Sequence, residues 1–179
     1  ARSGENRVSQ YPWGAHYVPV PNPESKVAQR LYTELGLITG KDASGNPIFD
    51  ARHLVFEPED QLFYRGKWYD GLYLMAGASQ QDTRQFKAFL SLTDALRETK
   101  GKDGRYVFTI PTAHASSDPE FTALDRITMG AFLKSKGWDS PRLRWYINYA
   151  CRDDYGADID QVSAWAALHY FAGRRPYLT

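Results

Sequence analysis

From residue 25 onward the apolar residues Val27, Ala28, Leu31 and Leu35 recur at three- and four-residue intervals, the spacing that lines one side of a helix. Pro23 and Glu24 suit a first turn and Gly36 an exit, so a first helix is predicted over 25–35. The stretch before it has a different character. Gly4, Gly14 and the prolines at 12, 19, 21 and 23 break any helix there, and only Ala15 to Val18 reads as a short strand. Lys41 to Asn46 is a polar turn. Leu54-Val55-Phe56 and Leu62-Phe63-Tyr64 are short β-type runs, with Arg65-Gly66-Lys67 as a tight turn before Trp68-Tyr69, which predicts a small meander or a hairpin pair.

The second half is helical in pattern. Ser79 to Thr99 sets Phe86, Phe89, Leu90, Leu92 and Leu96 against Gln, Arg, Lys and Glu, the signature of a long amphipathic helix. Gly101 to Gly104 ends it, Tyr106 to Ile110 reads as one extended strand, and Pro111 to Asp118 as a loop. Asp118 caps a short helix through Arg126, and Thr128 opens another that Gly137 stops. Ser140-Pro141 is a cap followed by proline at the first helical position, starting a helix through Tyr149 and on toward Arg152. Asp160 is read as the cap of the last helix, closed by Gly173. The fold class expected is α+β and mostly helical, with a small antiparallel sheet or hairpin near the beginning.

Composition removes several function classes. The chain has 179 residues, a net charge of +1, one Cys and four His. The charge balance gives no field for nucleic acid, whose phosphates demand clustered Lys and Arg. No run of 18 apolar residues is present, so no membrane span is expected. Neither G-x-G-x-x-G after a strand nor a P-loop occurs. His16, His53, His114 and His169 share no metal-ligand spacing, so no metal site is assigned. Cys151 lacks the surroundings of a nucleophile and reads as a small buried hydrophobe. Asp153 and Asp154 are adjacent, which on a helix points them about 100° apart and argues against a two-carboxylate hydrolytic centre.

The densest mixture of charge and aromatic rings runs from Arg144 to Gly156 and resumes at Ser163-Ala164-Trp165 and Leu168-His169-Tyr170-Phe171. One reading is structural: helix ends, core rings and a packed histidine. The other is a pocket in which a carboxylate holds a cationic group between rings. The residues alone leave both open, and no catalytic residue is assigned.

Two strings add a resemblance. ARSGENRVSQYPWGAHYVPVPNPE at 1–24 resembles the stretch that follows the dinucleotide-binding βαβ unit in flavin-containing amine oxidases and related FAD-dependent oxidoreductases. SPRLRWYINYACRDDYGADIDQVSAWAALHYFAGR at 140–174 resembles the same group, particularly a bacterial branch with Y-x-x-R-D-D-Y-G and S-A-W-A-x-x-H-Y-F. The resemblance implies that 1–24 is an extended segment of an FAD-binding domain the sequence does not contain, and that 25–179 is the substrate-side helical domain with a small sheet. By the same resemblance Arg2 and Ser3 approach the FAD phosphates or ribityl chain, while Gly14, Ala15 and His16 pass against the flavin. Tyr149, Arg152, Asp153, Asp154, Trp165, His169 and Tyr170 become the substrate-side candidates, with Asp154 preferred over Asp153 as partner of an amine. The implied reaction is hydride transfer from a substrate C–H to flavin.

Because the family's glycine-rich unit is not in this sequence, the chain alone is expected neither to retain FAD tightly nor to turn over substrate. Its expected partners are the FAD-binding domain of the same polypeptide, a small-molecule substrate, and a second copy covering the face that domain would leave bare. The compartment implied is the bacterial periplasm, by twin-arginine export, or the cytoplasm. The alternatives kept open are a freestanding helical module that binds a ligand or partner through an aromatic pocket, and a hydrolase using carboxylates and His.

Overall fold

A computed structural model describes residues 3–8, 10–12, 18–55 and 60–175. Its elements in chain order are β1 (Ser3–Glu5), β2 (Gln10–Pro12), α1 (Lys26–Glu34), β3 (Ile38–Lys41), β4 (Pro47–Phe49), β5 (Gln61–Tyr64) and β6 (Lys67–Asp70), followed by α2 (Gln80–Glu98), α3 (Pro119–Thr122), α4 (Met129–Ser135), α5 (Pro141–Tyr155) and α6 (Ala164–Ala172). About 45% of the described residues are helical, and the strands form separate antiparallel pairs, β1 with β2, β3 with β4 and β5 with β6. The architecture is the expected mostly helical α+β fold.

Helix α6 is the centre. Its sequence AWAALHYFA is apolar on nearly every side, the pattern of a helix covered all round, and α2, α4 and α5 each contact it. Phe89 of α2, Met129 and Leu133 of α4, Leu143 and Ile147 of α5, and Leu168 of α6 are fully buried together with Phe108. The helix starts follow from local chemistry: the side chains of Ser79, Thr128, Ser140 and Ser163 accept from backbone N–H groups of the first turns, satisfying donors that the helix itself cannot. At Ser79 the arrangement is reciprocal, because Asp82 returns the bond to the Ser79 N–H.

Helix α1 forms where the periodicity puts it, yet none of its residues is buried, and Val27, Leu31 and Leu35 remain exposed. The β5–β6 hairpin turns on Arg65 and Gly66, with φ of 50° and 78°. Positive φ at both positions is what a two-residue hairpin turn of matching twist requires. In the β3–β4 hairpin the Asp42 carboxylate accepts from the N–H groups of Ser44 and Asn46 and so folds the polar turn.

Four local expectations are corrected. Tyr106 to Ile110 is not a strand; only Tyr106 bridges, to Lys100. The carbonyls a partner strand would satisfy are taken by side chains instead: that of Phe108 by Arg175, of Thr109 by His169 and of Ile110 by Ser25. Helix α5 continues past Arg152 to Tyr155, ending at Gly156 in the left-handed region with φ 67°. The last helix is capped by Ser163 rather than Asp160. Backbone bonds from Met129 to Val162 and from Ala164 to Ile127 hold residues 162–164 against the start of α4, which keeps Asp160 in the preceding turn. Leu54 and Val55 follow a 3-10 turn and belong to no strand; Phe56 and the proposed strand residues Ala15 to Tyr17 lie outside the described residues.

Candidate functional site

Helix α5 presents two faces. Leu143, Ile147, Ala150 and Cys151 point into the core, so positions three, four and seven residues apart on the other side, Trp145, Asn148, Tyr149, Arg152 and Asp153, share the outer face. They line a cleft of about 340 Å³. Trp145 and Tyr149 stack with ring centroids 5.9 Å apart and planes inclined by 22°. The Asn148 side-chain oxygen accepts from the Ile159 N–H at 3.0 Å, which ties the cleft to the loop before α6. Tyr149, Arg152 and Asp153 are thus brought together.

The acid next to Asp153 goes elsewhere. Asp154 is not part of the cleft lining; its charge instead adds to the burial that pushes the Cys151 thiol up to about 11 and the Tyr155 phenol up to about 12. The Tyr155 hydroxyl donates to the Ala166 carbonyl at 2.7 Å, joining the end of α5 to α6. Burial likewise raises the Tyr170 phenol, opposed by Arg174, whose guanidinium lies over the Tyr170 ring at 4.9 Å. Tyr170 of α6 feels both Asp154 and Asp153 and does not line the cleft.

Trp165 and His169 belong to a different place. Their rings stack at 5.1 Å and 18°, and a ring nitrogen of His169 lies 2.9 Å from the Thr109 carbonyl. The Trp165 Nε1 is buried without a hydrogen-bond partner. The substrate-side candidates therefore divide between the α5 cleft and the segment around Phe108 and Thr109, and they do not share one pocket.

That second place contains a polar hub which the residues, read in line, gave no sign of. The Arg175 guanidinium donates to the Phe108 carbonyl at 2.7 Å and to Thr109 Oγ1 at 2.5 Å, lies 3.8 Å over the Tyr106 ring, and approaches Glu24 at 3.5 Å. Asn22 donates to the Gly173 carbonyl at 2.7 Å and accepts the Arg175 N–H at 2.9 Å. Of the cofactor-side candidates, Arg2, Gly14, Ala15 and His16 lie outside the described residues, and Ser3 is described only as the start of β1.

Could these residues hold FAD? Among the described residues the positive-φ glycines with open space beside them sit at helix exits, as Gly36, Gly137 and Gly156 do, in hairpin turns, as Gly45 and Gly66 do, or in bends, as Gly71 and Gly104 do. Gly77, just ahead of α2, faces the Arg142 side chain at 3.5 Å and a helix start closed by the Asp82 carboxylate. The helix starts carry Ser or Thr caps instead. A pyrophosphate needs a glycine turn feeding a helix N-terminus, so the described residues by themselves do not fit a dinucleotide. Among the described residues no group of His, Cys, Asp or Glu is placed to hold a metal ion, and no helix is long and apolar enough to cross a membrane. Comparison with protein-family models, with curated proteins and with solved structures finds no match to this chain.

Proposed function

We propose that this chain is the substrate-side part of an FAD-dependent oxidoreductase of the flavin-containing amine oxidase type. The observation that carries the reading is a meeting of two distant segments. The stretches that bear the resemblance lie at opposite ends of the sequence, and they are joined by the Asn22 side chain on the Gly173 carbonyl. In an enzyme of this kind both stretches have to run to one cofactor-binding body, and segments that lie side by side meet that requirement.

The chain's own share would be to bind and orient the substrate. The α5 cleft offers two stacked aromatic rings and one carboxylate, the groups a cationic amine can use, with the Arg152 guanidinium beside them. Asp153, the acid that lines the cleft, is then the carboxylate beside the amine, and Asp154 acts at most through Tyr170. Since the described residues do not fit FAD, the cofactor is assigned to residues outside those described, and the part taken by the α5 cleft is confined to holding the substrate.

The test is the complete reading frame. It should encode a strand followed by G-x-G-x-x-G upstream of residue 1, and the purified product should carry the visible absorbance of bound flavin. In that enzyme Asp153→Asn should raise KM for an amine about tenfold or more, with flavin content unchanged, whereas Asp154→Asn should move it less. A complete frame without a dinucleotide-binding unit, or a colourless product, refutes the flavoprotein reading.

A further inference from the structure

We infer that the α5 cleft takes an amine that carries its own carboxylate a few carbons away, an ω-amino acid, with the ammonium on Asp153 and the carboxylate on Arg152. This rests on the reading of the cleft as the seat of an amine beside Asp153, and it narrows that amine to one chemical class.

A cleft that serves a plain amine has no use for a guanidinium. Arg152 lines the same 340 Å³ as Asp153, so an ammonium drawn to the carboxylate also meets the Arg152 charge, which repels it. The protein does not absorb that charge. Among the described residues neither the Arg152 nor the Asp153 side chain has a hydrogen-bond or ion-pair partner, and the two do not pair with each other. Asp160, in the turn that follows α5, is engaged by Arg144 at 3.8 Å instead. Asn148 adds to the unclaimed donors. Its side-chain oxygen accepts from the Ile159 N–H, and its two amide N–H groups have no partner among the described residues. A ligand with a cationic end alone satisfies Asp153 and leaves Arg152 as a penalty. An anionic end on the same ligand turns the penalty into a second charge-assisted contact, which selects against amines that lack one.

The placement of the two charges sets the length of the ligand. Arg152 and Asp153 are successive residues of α5. On an α-helix about 10–12 Å across, side-chain ends that diverge by about 100° stand roughly 8 Å apart. An ammonium and a carboxylate carried on one carbon fall short of that span unless every atom lies in line. A chain of three methylenes between them covers it, and its C–H groups need an apolar bed. Tyr149 stands three and four residues before the two charges, so its ring neighbours both. Trp145, one turn further back, stacks on Tyr149 with ring centroids 5.9 Å apart, and the two rings remain 47% and 42% exposed. Part of each ring is therefore open to a short hydrocarbon chain.

The test is titration of the isotopically labelled 179-residue chain with four compounds of equal carbon count, 4-aminobutanoate, 2-aminobutanoate, butylamine and butanoate, followed by the indole N–H resonance of Trp145. 4-Aminobutanoate should bind about fivefold or more tightly than each of the other three. Arg152→Gln should remove its advantage over butylamine and leave butylamine bound as in the parent or more tightly, because the repelling charge is gone. Asp153→Asn should remove its advantage over butanoate. Both side chains are exposed, and unchanged circular dichroism separates loss of the site from loss of the fold. The inference is overturned if none of the four binds saturably, if butylamine or 2-aminobutanoate binds as tightly as 4-aminobutanoate, or if Arg152→Gln keeps the preference. The titration involves no cofactor. A colourless product of the complete reading frame therefore refutes the flavin reading alone, and equal affinity for butylamine refutes this inference alone.

Discussion

Asn22 and Gly173 are 151 positions apart in sequence and are joined by a 2.7 Å hydrogen bond from the Asn22 amide to the Gly173 carbonyl. The same side chain accepts the Arg175 N–H and reaches Thr109 Oγ1, and it is only 3% exposed. Replacing it with Ala strands buried donors and acceptors, each at a cost of about 1–3 kcal/mol. Asn22→Ala should therefore lower the melting temperature by about 5–10 °C in a thermal scan followed by circular dichroism. A change of a degree or less would mean that the opening segment is not held at this point.

Gly101 packs directly against buried neighbours and leaves a side chain no room. A Cβ there would lie 2.1 Å from Ser116 Oγ and 2.9 Å from Asp118 Cβ, and both of those residues are buried. Ser116 and Asp118 are themselves held, Ser116 by donating to Asp103 and Asp118 by the Lys102 N–H. Gly101→Ala should cost about 2–4 kcal/mol in urea unfolding. Gly104→Ala, at φ 75° with nothing nearby, should cost only about 1–2 kcal/mol of backbone strain. Equal costs at the two positions would contradict the packing around Ser116.

Acid should loosen this same loop first. The Ser116 hydroxyl and the Ser117 N–H on its carboxylate hold Asp103 well below the usual carboxylate range, and the Lys102 and Glu120 N–H groups do the same for Asp118. A folded pKa below the unfolded one lends stability that is present above about pH 4 and is lost as pH falls through the folded value. Melting temperature measured from pH 7 down to about pH 2 should drop most steeply at the acid end, and Ser116→Ala should make the drop shallower. A parallel drop in parent and variant would remove Asp103 as its source.

Cys151 should be chemically silent. It is 1% exposed, and burial, with help from Asp154 and Asp158, pushes its thiol up to about 11. The folded chain should resist a thiol reagent at pH 8 and react at once in denaturant. Because the folded pKa exceeds the unfolded value of about 8.5, this group's contribution is complete below pH 8.5 and declines as pH rises toward 11. Rapid labelling of the native chain would place the thiol at the surface instead.

Much of the local structure is set by neighbours in the chain and is legible without the fold. A serine or threonine cap acts within three residues, and helical periodicity within two turns, so α1, α2, α4 and the start of α5 could be read directly, as could the β5–β6 turn. The outer face of α5 was legible in part for the same reason: Tyr149, Arg152 and Asp153 follow from helical spacing, and Trp145 one turn earlier completes them. The burial of Cys151 followed from its chemistry. Contacts between distant residues settled the rest. They made 106–110 an irregular segment, because Ser25, His169 and Arg175 satisfy carbonyls that a strand would have used. They moved the last cap from Asp160 to Ser163 by docking 162–164 on α4, and they left the apolar side of α1 in water although its pattern matches that of a buried helix. They also separated Trp165 and His169 from the α5 cleft and tied Asn22 to Gly173 and Arg175. Local signals report how each piece prefers to fold; which pieces meet depends on packing free energies summed over pairs that the order of residues does not display.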